Sequence, residues 1–95
     1  MVLLYYSVHY PKPEKEAALI DGMSRVGKVL KSLPGCLFDN AFQDTNLGTI
    51  MALTIWESQE AFQAARPAMI EALRTIPLDE WEARPREFHM LNSLW

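Results

Sequence analysis

The stretch Leu33–Phe62, LPGCLFDNAFQDTNLGTIMALTIWESQEAF, constrains this chain more than any other. Pro34-Gly35 stops a helix, because proline cannot continue one and glycine tolerates the left-handed exit. Asp44-Thr45-Asn46-Leu47-Gly48 is a hairpin connection, rich in residues that accept positive φ or bond their own backbone. Around that connection, Cys36–Gln43 and Thr49–Trp56 read as strands. Ser58 is placed to cap a following helix, its hydroxyl accepting a free N–H of the first turn.

The flanking segments complete a symmetrical order. Val2–Tyr10 is dense in β-branched and aromatic residues and is cut off by Pro11, which predicts a strand. Its faces are Leu4, Tyr6, Val8, Tyr10 and Leu3, Tyr5, Ser7, His9. From Lys12 to Leu33 the period turns helical, with Leu19, Met23, Val26, Leu30 and Leu33 on one stripe. Gly22 and Gly27 weaken that helix, which a close neighbour or simple tolerance would explain. A second helix begins near Gln59 and presents Phe62, Met69, Leu73 and Ile76; Pro67 inside it predicts a kink or a restart at Ala68. One more helical turn is expected within Leu78–Arg84 and a last strand over Glu87–Leu94.

The order β-α-β-β-α-β defines an α+β, ferredoxin-like plait, two helices on one face of a four-stranded antiparallel sheet, over residues 1–95 as one domain. In the third strand Met51, Leu53 and Ile55 alternate with Ile50, Ala52, Thr54 and Trp56, so both faces are largely apolar. Strands of that kind are covered on both sides. Helices cover one face, and in so short a chain the other is expected to be covered by a second protomer, giving a homodimer through the sheet.

Composition excludes several functions. Lys and Arg are scattered and the net charge is −3, so no basic footprint for nucleic acid or an anionic membrane exists. Met1–Val8 is apolar but too short to span a bilayer and lacks the positive flank of a signal peptide, so a cytoplasmic location is expected. Cys36 has no second cysteine to pair with, and His9 and His89 stand alone in strands, so no metal-ligand spacing is present. A glycine-rich phosphate loop and a G-x-S-x-G elbow are also absent, and no cofactor is expected.

Leu33-Pro34-Gly35, the hairpin, and the strand ending Trp56-Glu57-Ser58 before Glu60-Ala61-Phe62 resemble the antibiotic biosynthesis monooxygenase family. The resemblance implies a dimeric α+β barrel, two sheets packed face to face. It also implies a cofactor-independent oxygenase acting on a phenol or quinol in a pocket between sheet and helices. Haem-degrading members carry an asparagine in the first strand and a histidine late in the second helix; neither occurs here, and Ala64–Met69 lacks the histidine or aromatic common near the kink.

Within that frame Trp56 is a catalytic candidate, its indole N–H offered to a substrate oxygen; as structure, it is a core anchor. His9 is the candidate general base, since an imidazole titrates near neutrality; otherwise it is an exposed or interface histidine. Tyr6, Phe62, Met69 and Trp81 are the expected contacts of a small apolar or aromatic ligand, against a blander role in core, seam or lid. Of Asp39 and Asn40, a strand position could turn one inward. The competing readings are a non-catalytic binder of a small molecule and a structural dimer whose pocket its own side chains fill.

Overall fold

The sheet is built from the ends of the chain inward. In the computed structural model, which describes residues 1–95, β1 (Leu3–His9) lies between β3 (Ile50–Trp56) and β4 (Glu87–Asn92), and β2 (Cys36–Gln43) is the edge beyond β3. All three pairings are antiparallel, in the order β2-β3-β1-β4. Between them run α1 (Glu16–Lys31), entered through a 3-10 turn at Pro13–Lys15, then α2 (Gln59–Leu73) and the single turn α3 (Leu78–Trp81). This is the ferredoxin-like plait that the element order predicts.

The punctuation acts as its chemistry requires. Gly35 and Gly48 take positive φ, at 84° and 74°. Asp44 Oδ1 accepts from the backbone N–H of Asn46 and of Leu47, both at 2.8 Å, closing the hairpin. Ser58 Oγ accepts from Ala61 N–H at 3.0 Å and caps α2. That helix runs through Pro67 without the restart expected at Ala68. Pro67 and Gln63 are both exposed, so the carbonyl that proline leaves unbonded faces water, while Ala65 and Met69 hold the helix from its buried side.

Leu3, Tyr5, Ser7 and His9 of β1 and Ile50, Ala52, Thr54 and Trp56 of β3 face the helices. Leu19, Val26 and Leu30 of α1 and Phe62, Ala65 and Met69 of α2 close over them as the core. Gly22 is a close-approach position: a Cβ there would lie 2.8 Å from Ile76 and 3.1 Å from Trp81. On the other face no helix packs, and Leu4, Tyr6, Val8, Met51, Leu53, Ile55, Phe38, Phe42 and Leu91 form a continuous apolar surface. Phe42 and Leu91 remain 46% and 51% exposed there.

Candidate functional site

Between the sheet and the helices lies a half-open cavity of about 470 Å³. Its floor is made of short side chains, Ser7, Ala52, Thr54 and Ala41, and this leaves room beneath α1 and α2. Tyr5 and Phe88 supply aromatic wall, stacked at 6.1 Å, with Met23, Val26, Leu30, Met69 and Leu73 as apolar roof. Burial pushes the Tyr5 phenol above its ordinary value, so it stays protonated and offers an O–H.

One wall carries a chain of three buried polar side chains. His9 is 1% exposed; its Nδ1 lies 3.1 Å from Glu82 Oε1 and its Nε2 2.7 Å from Ser7 Oγ. Burial lowers the His9 pKa below its ordinary value, against the upward pull of the Glu82 carboxylate, so the ring is neutral at neutral pH. A neutral imidazole has one donor and one acceptor, and a carboxylate can only accept. Nδ1–H therefore donates to Glu82, and Nε2 accepts the Ser7 hydroxyl proton. Glu82 is fixed in turn by Tyr10 N–H at 3.2 Å and by the Arg86 guanidinium, whose Nη1 also donates to Asp79 Oδ1 at 2.9 Å. Ser7, His9 and Arg86 line the cavity.

Chemically, such a hydrogen-bonded chain can carry a proton. A hydroxyl bound against Ser7 can pass its proton to Oγ while Oγ passes its own to Nε2, and Glu82 stabilises the resulting imidazolium. The same three groups in a hydrolase would need an oxyanion hole beside the serine. β1 is a central strand paired on both edges, so it offers no free backbone N–H there.

The opposite wall carries Asp39 of β2, half-buried, its carboxyl pushed up to about 6 by burial, with the Lys31 charge pulling the other way. Gly27 of α1 gives it space, since a Cβ at that position would collide with Oδ2. No three His, Cys, Asp or Glu side chains converge as a metal site.

The residues singled out from sequence are distributed unevenly. His9 and Met69 line the cavity. Trp56 is wholly buried beneath it and donates its indole N–H to Thr54 Oγ1 at 2.9 Å, so that group is spent inside the fold and not offered to a ligand. Phe62 packs edge-on to Trp56 at 6.0 Å and against Tyr5 at 5.4 Å, behind the wall. Tyr6 points to the opposite face of the sheet, stacked on His89 at 4.8 Å, because side chains alternate and His9 takes the other face. Trp81 packs on Gly22 outside the cavity. Ser7, Glu82, Thr54 and Arg86 were not singled out. Ser7 and His9 at i, i+2 on an otherwise apolar strand face were the available signal of a buried polar pair, whereas Glu82 arrives 73 residues later with no local mark.

The chain is thus a ferredoxin-like plait with a cavity between sheet and helices and one sheet face left apolar. The sequence model of antibiotic biosynthesis monooxygenases matches residues 1–68, and the chain belongs to that family. No curated protein matches the sequence. Among solved structures, Rv0793 from Mycobacterium tuberculosis superposes with a TM-score of 0.85 at 18% identity, over 99% of this chain and 96% of that one. A conserved protein from Methanosarcina mazei gives 0.82 at 16% identity, covering 96% and 91%. SnoaB, a cofactor-independent oxygenase from Streptomyces nogalater, gives 0.80 at 12% identity, covering 99% and 94%. At these identities the superpositions show a shared fold. No helix is long and apolar enough to cross a membrane.

Proposed function

We propose that this protein is a cofactor-independent monooxygenase of a small aromatic phenol or quinol. The observation that carries the reading is the Ser7–His9–Glu82 relay opening onto a cavity walled by Tyr5 and Phe88. A cavity of about 470 Å³ sits within the range of small-molecule sites, about 300–1,000 Å³. It weighs against the self-filled structural dimer.

The chemistry follows from the relay. Taking a proton from an electron-rich phenol, or from the ring CH₂ of its keto form, leaves an anion that gives an electron to dioxygen. The two radicals combine to a C–O bond. Loss of water then leaves a quinone carbonyl: the ring carbon gives up two hydrogens, one dioxygen atom becomes the carbonyl and the other becomes water. The protein supplies the base, a cavity with aromatic and aliphatic walls, and the Tyr5 O–H as a hydrogen-bond donor to a carbonyl or phenolate oxygen. In this reading His9 acts through Ser7, Met69 contacts the ligand, and Trp56 and Phe62 support the site from beneath by holding Thr54 and Tyr5.

The open face of the sheet supports a homodimer. Only 17 of 95 residues are buried, and Leu53, Tyr6 and Phe42 share an uncovered apolar sheet face of the kind that marks association. A second copy laid sheet to sheet would bury it.

The test is oxygen uptake with dihydroxyanthrone as the probe. Wild type should form dihydroxyanthraquinone, and Ser7→Ala should slow it about a hundredfold, the typical share of a positioned base. Tight binding of the probe in air without any quinone would favour a non-catalytic binder instead.

A further inference from the structure

Asp39 is the only acidic side chain that the sheet turns toward the helices. Aspartate is depleted in strands, and a half-buried carboxyl gains from an ion pair or hydrogen bond. Asp39 has neither; Lys31 acts on it only through its charge. It lies against α1 at Gly27, where a Cβ would collide with its carboxyl, and it lines the cavity. In register it lies beside Thr54, two strands from β1, and Ser7 lies two strands away and two residues along. Strand spacing and rise place the two positions about 12 Å apart at Cα, with Ala52 and Thr54 as the floor between them. Both side chains project from the same face of the sheet into the cavity, one at each end of that floor.

We infer that Asp39 is the second acid–base group of this cavity, and that it delivers a proton to the peroxide formed on the bound ring. The inference rests on the monooxygenase reading. With the relay having taken the first ring proton to His9, the C–O–O⁻ anion takes the proton of the Asp39 carboxyl and becomes a hydroperoxide. The Asp39 carboxylate then removes the remaining C–H proton as the O–O bond breaks and the carbonyl forms. The departing hydroxide takes the proton held on His9, leaving water, and both groups return to their starting states. A carboxyl raised to about 6 is suited to move a proton both ways. The titratable and charged groups around it are Lys31 of α1, the Cys36 thiol on its own strand, and, lining the same cavity, Arg74 just after α2, Asp79 and Glu80 of α3, and Arg86 before β4. None of them bonds to it.

The experiment compares wild type, Asp39→Asn and Asp39→Glu on dihydroxyanthrone, reading quinone formed, hydrogen peroxide released, and affinity for dihydroxyanthraquinone. A carboxyl-specific carbon NMR titration of Asp39 with that quinone runs alongside. We expect Asp39→Asn to lose at least about tenfold in quinone formation, to release peroxide, and to keep product affinity within about twofold. Asp39→Glu should recover part of the rate, and the wild-type fall in rate above pH 6 should vanish in Asp39→Asn. If Asp39→Asn matches wild type in rate, pH profile and peroxide release, Asp39 has no such role and the oxygenase reading stands. If wild type forms no quinone, the oxygenase reading falls, and proton delivery to a peroxide falls with it. An Asp39 resonance unmoved by the bound quinone overturns the contact itself.

Discussion

Replacing Glu82 with glutamine keeps the side chain's shape and removes its charge where three donors converge. The carboxylate accepts from His9 Nδ1 at 3.1 Å and Tyr10 N–H at 3.2 Å through Oε1, and from Arg86 Nη1 at 3.4 Å through Oε2. Its side chain is only 3% exposed, so water cannot replace the lost acceptor. The glutamine carbonyl can still accept from His9 and Tyr10, but its amide turns N–H groups toward the Arg86 guanidinium. Hydrogen bonds to a charged partner contribute about 1.5–3 kcal/mol against about 1 for neutral ones, so a net loss of about 2 kcal/mol is expected. For a domain of this size that lowers Tm by roughly 8–16 °C. The change also removes the attraction that opposes burial at His9, so the imidazole becomes a weaker base and turnover falls with stability. The sign is fixed by His9, whose folded-state pKa is already lowered. The unfolded chain binds that proton more readily, so the contribution is complete above pH 6.5 and is lost as pH falls through the folded value. Glu82→Gln should widen this acid-side loss. Urea unfolding followed by tryptophan fluorescence at fixed protein concentration, from pH 5 to 8, measures it. A variant within about 0.5 kcal/mol of wild type, with an unchanged His9 ring titration, would refute the relay as drawn.

Asp39→Asn should be more stable than wild type at pH 7.5. The carboxyl rises from 3.8 to about 6 on folding, so its favourable contribution is present below pH 4 and is lost as pH climbs through 6. With the group half open to solvent the expected gain is about 1 kcal/mol, and equal urea midpoints would contradict it. Trp56→Phe should cost about 2 kcal/mol, from a smaller core side chain and the lost donor to Thr54, while leaving probe affinity nearly unchanged. A large loss of affinity at full stability would place Trp56 in the site. Leu53→Arg puts a charge at the centre of the uncovered sheet face and should convert a dimer to a monomer in sedimentation velocity. An unaltered dimer would move the interface elsewhere.

The fold was legible in sequence because its signals are local. The Pro34-Gly35 stop, the Asp44–Gly48 hairpin and the Ser58 cap each act through residues a few positions apart, and they fix the ends of β2, β3 and α2. Pro67 does not restart the helix at Ala68, because the cost of an interior proline depends on what its freed carbonyl meets, and Gln63 is exposed to solvent. The site was less legible. Alternation placed His9 with Ser7 and Tyr5 and opposite Tyr6, so Tyr6 and His9 could not share a pocket. What alternation could not give is depth: Trp56 and Phe62 share the cavity's side of the sheet but lie beneath it. Nor can it bring Glu82 to His9 across 73 residues, or say that Gly27 opens a seat for Asp39.

In the proposed reaction this cavity inserts an atom of dioxygen into an aromatic ring with a proton relay and no added cofactor. The most direct measurement is the mass of the quinone formed by the purified protein from dihydroxyanthrone under heavy-isotope dioxygen, with and without Ser7→Ala. One heavy oxygen per quinone molecule is expected, at a rate that Ser7→Ala depresses. Quinone carrying no heavy oxygen, or formed equally fast without the protein, would contradict it.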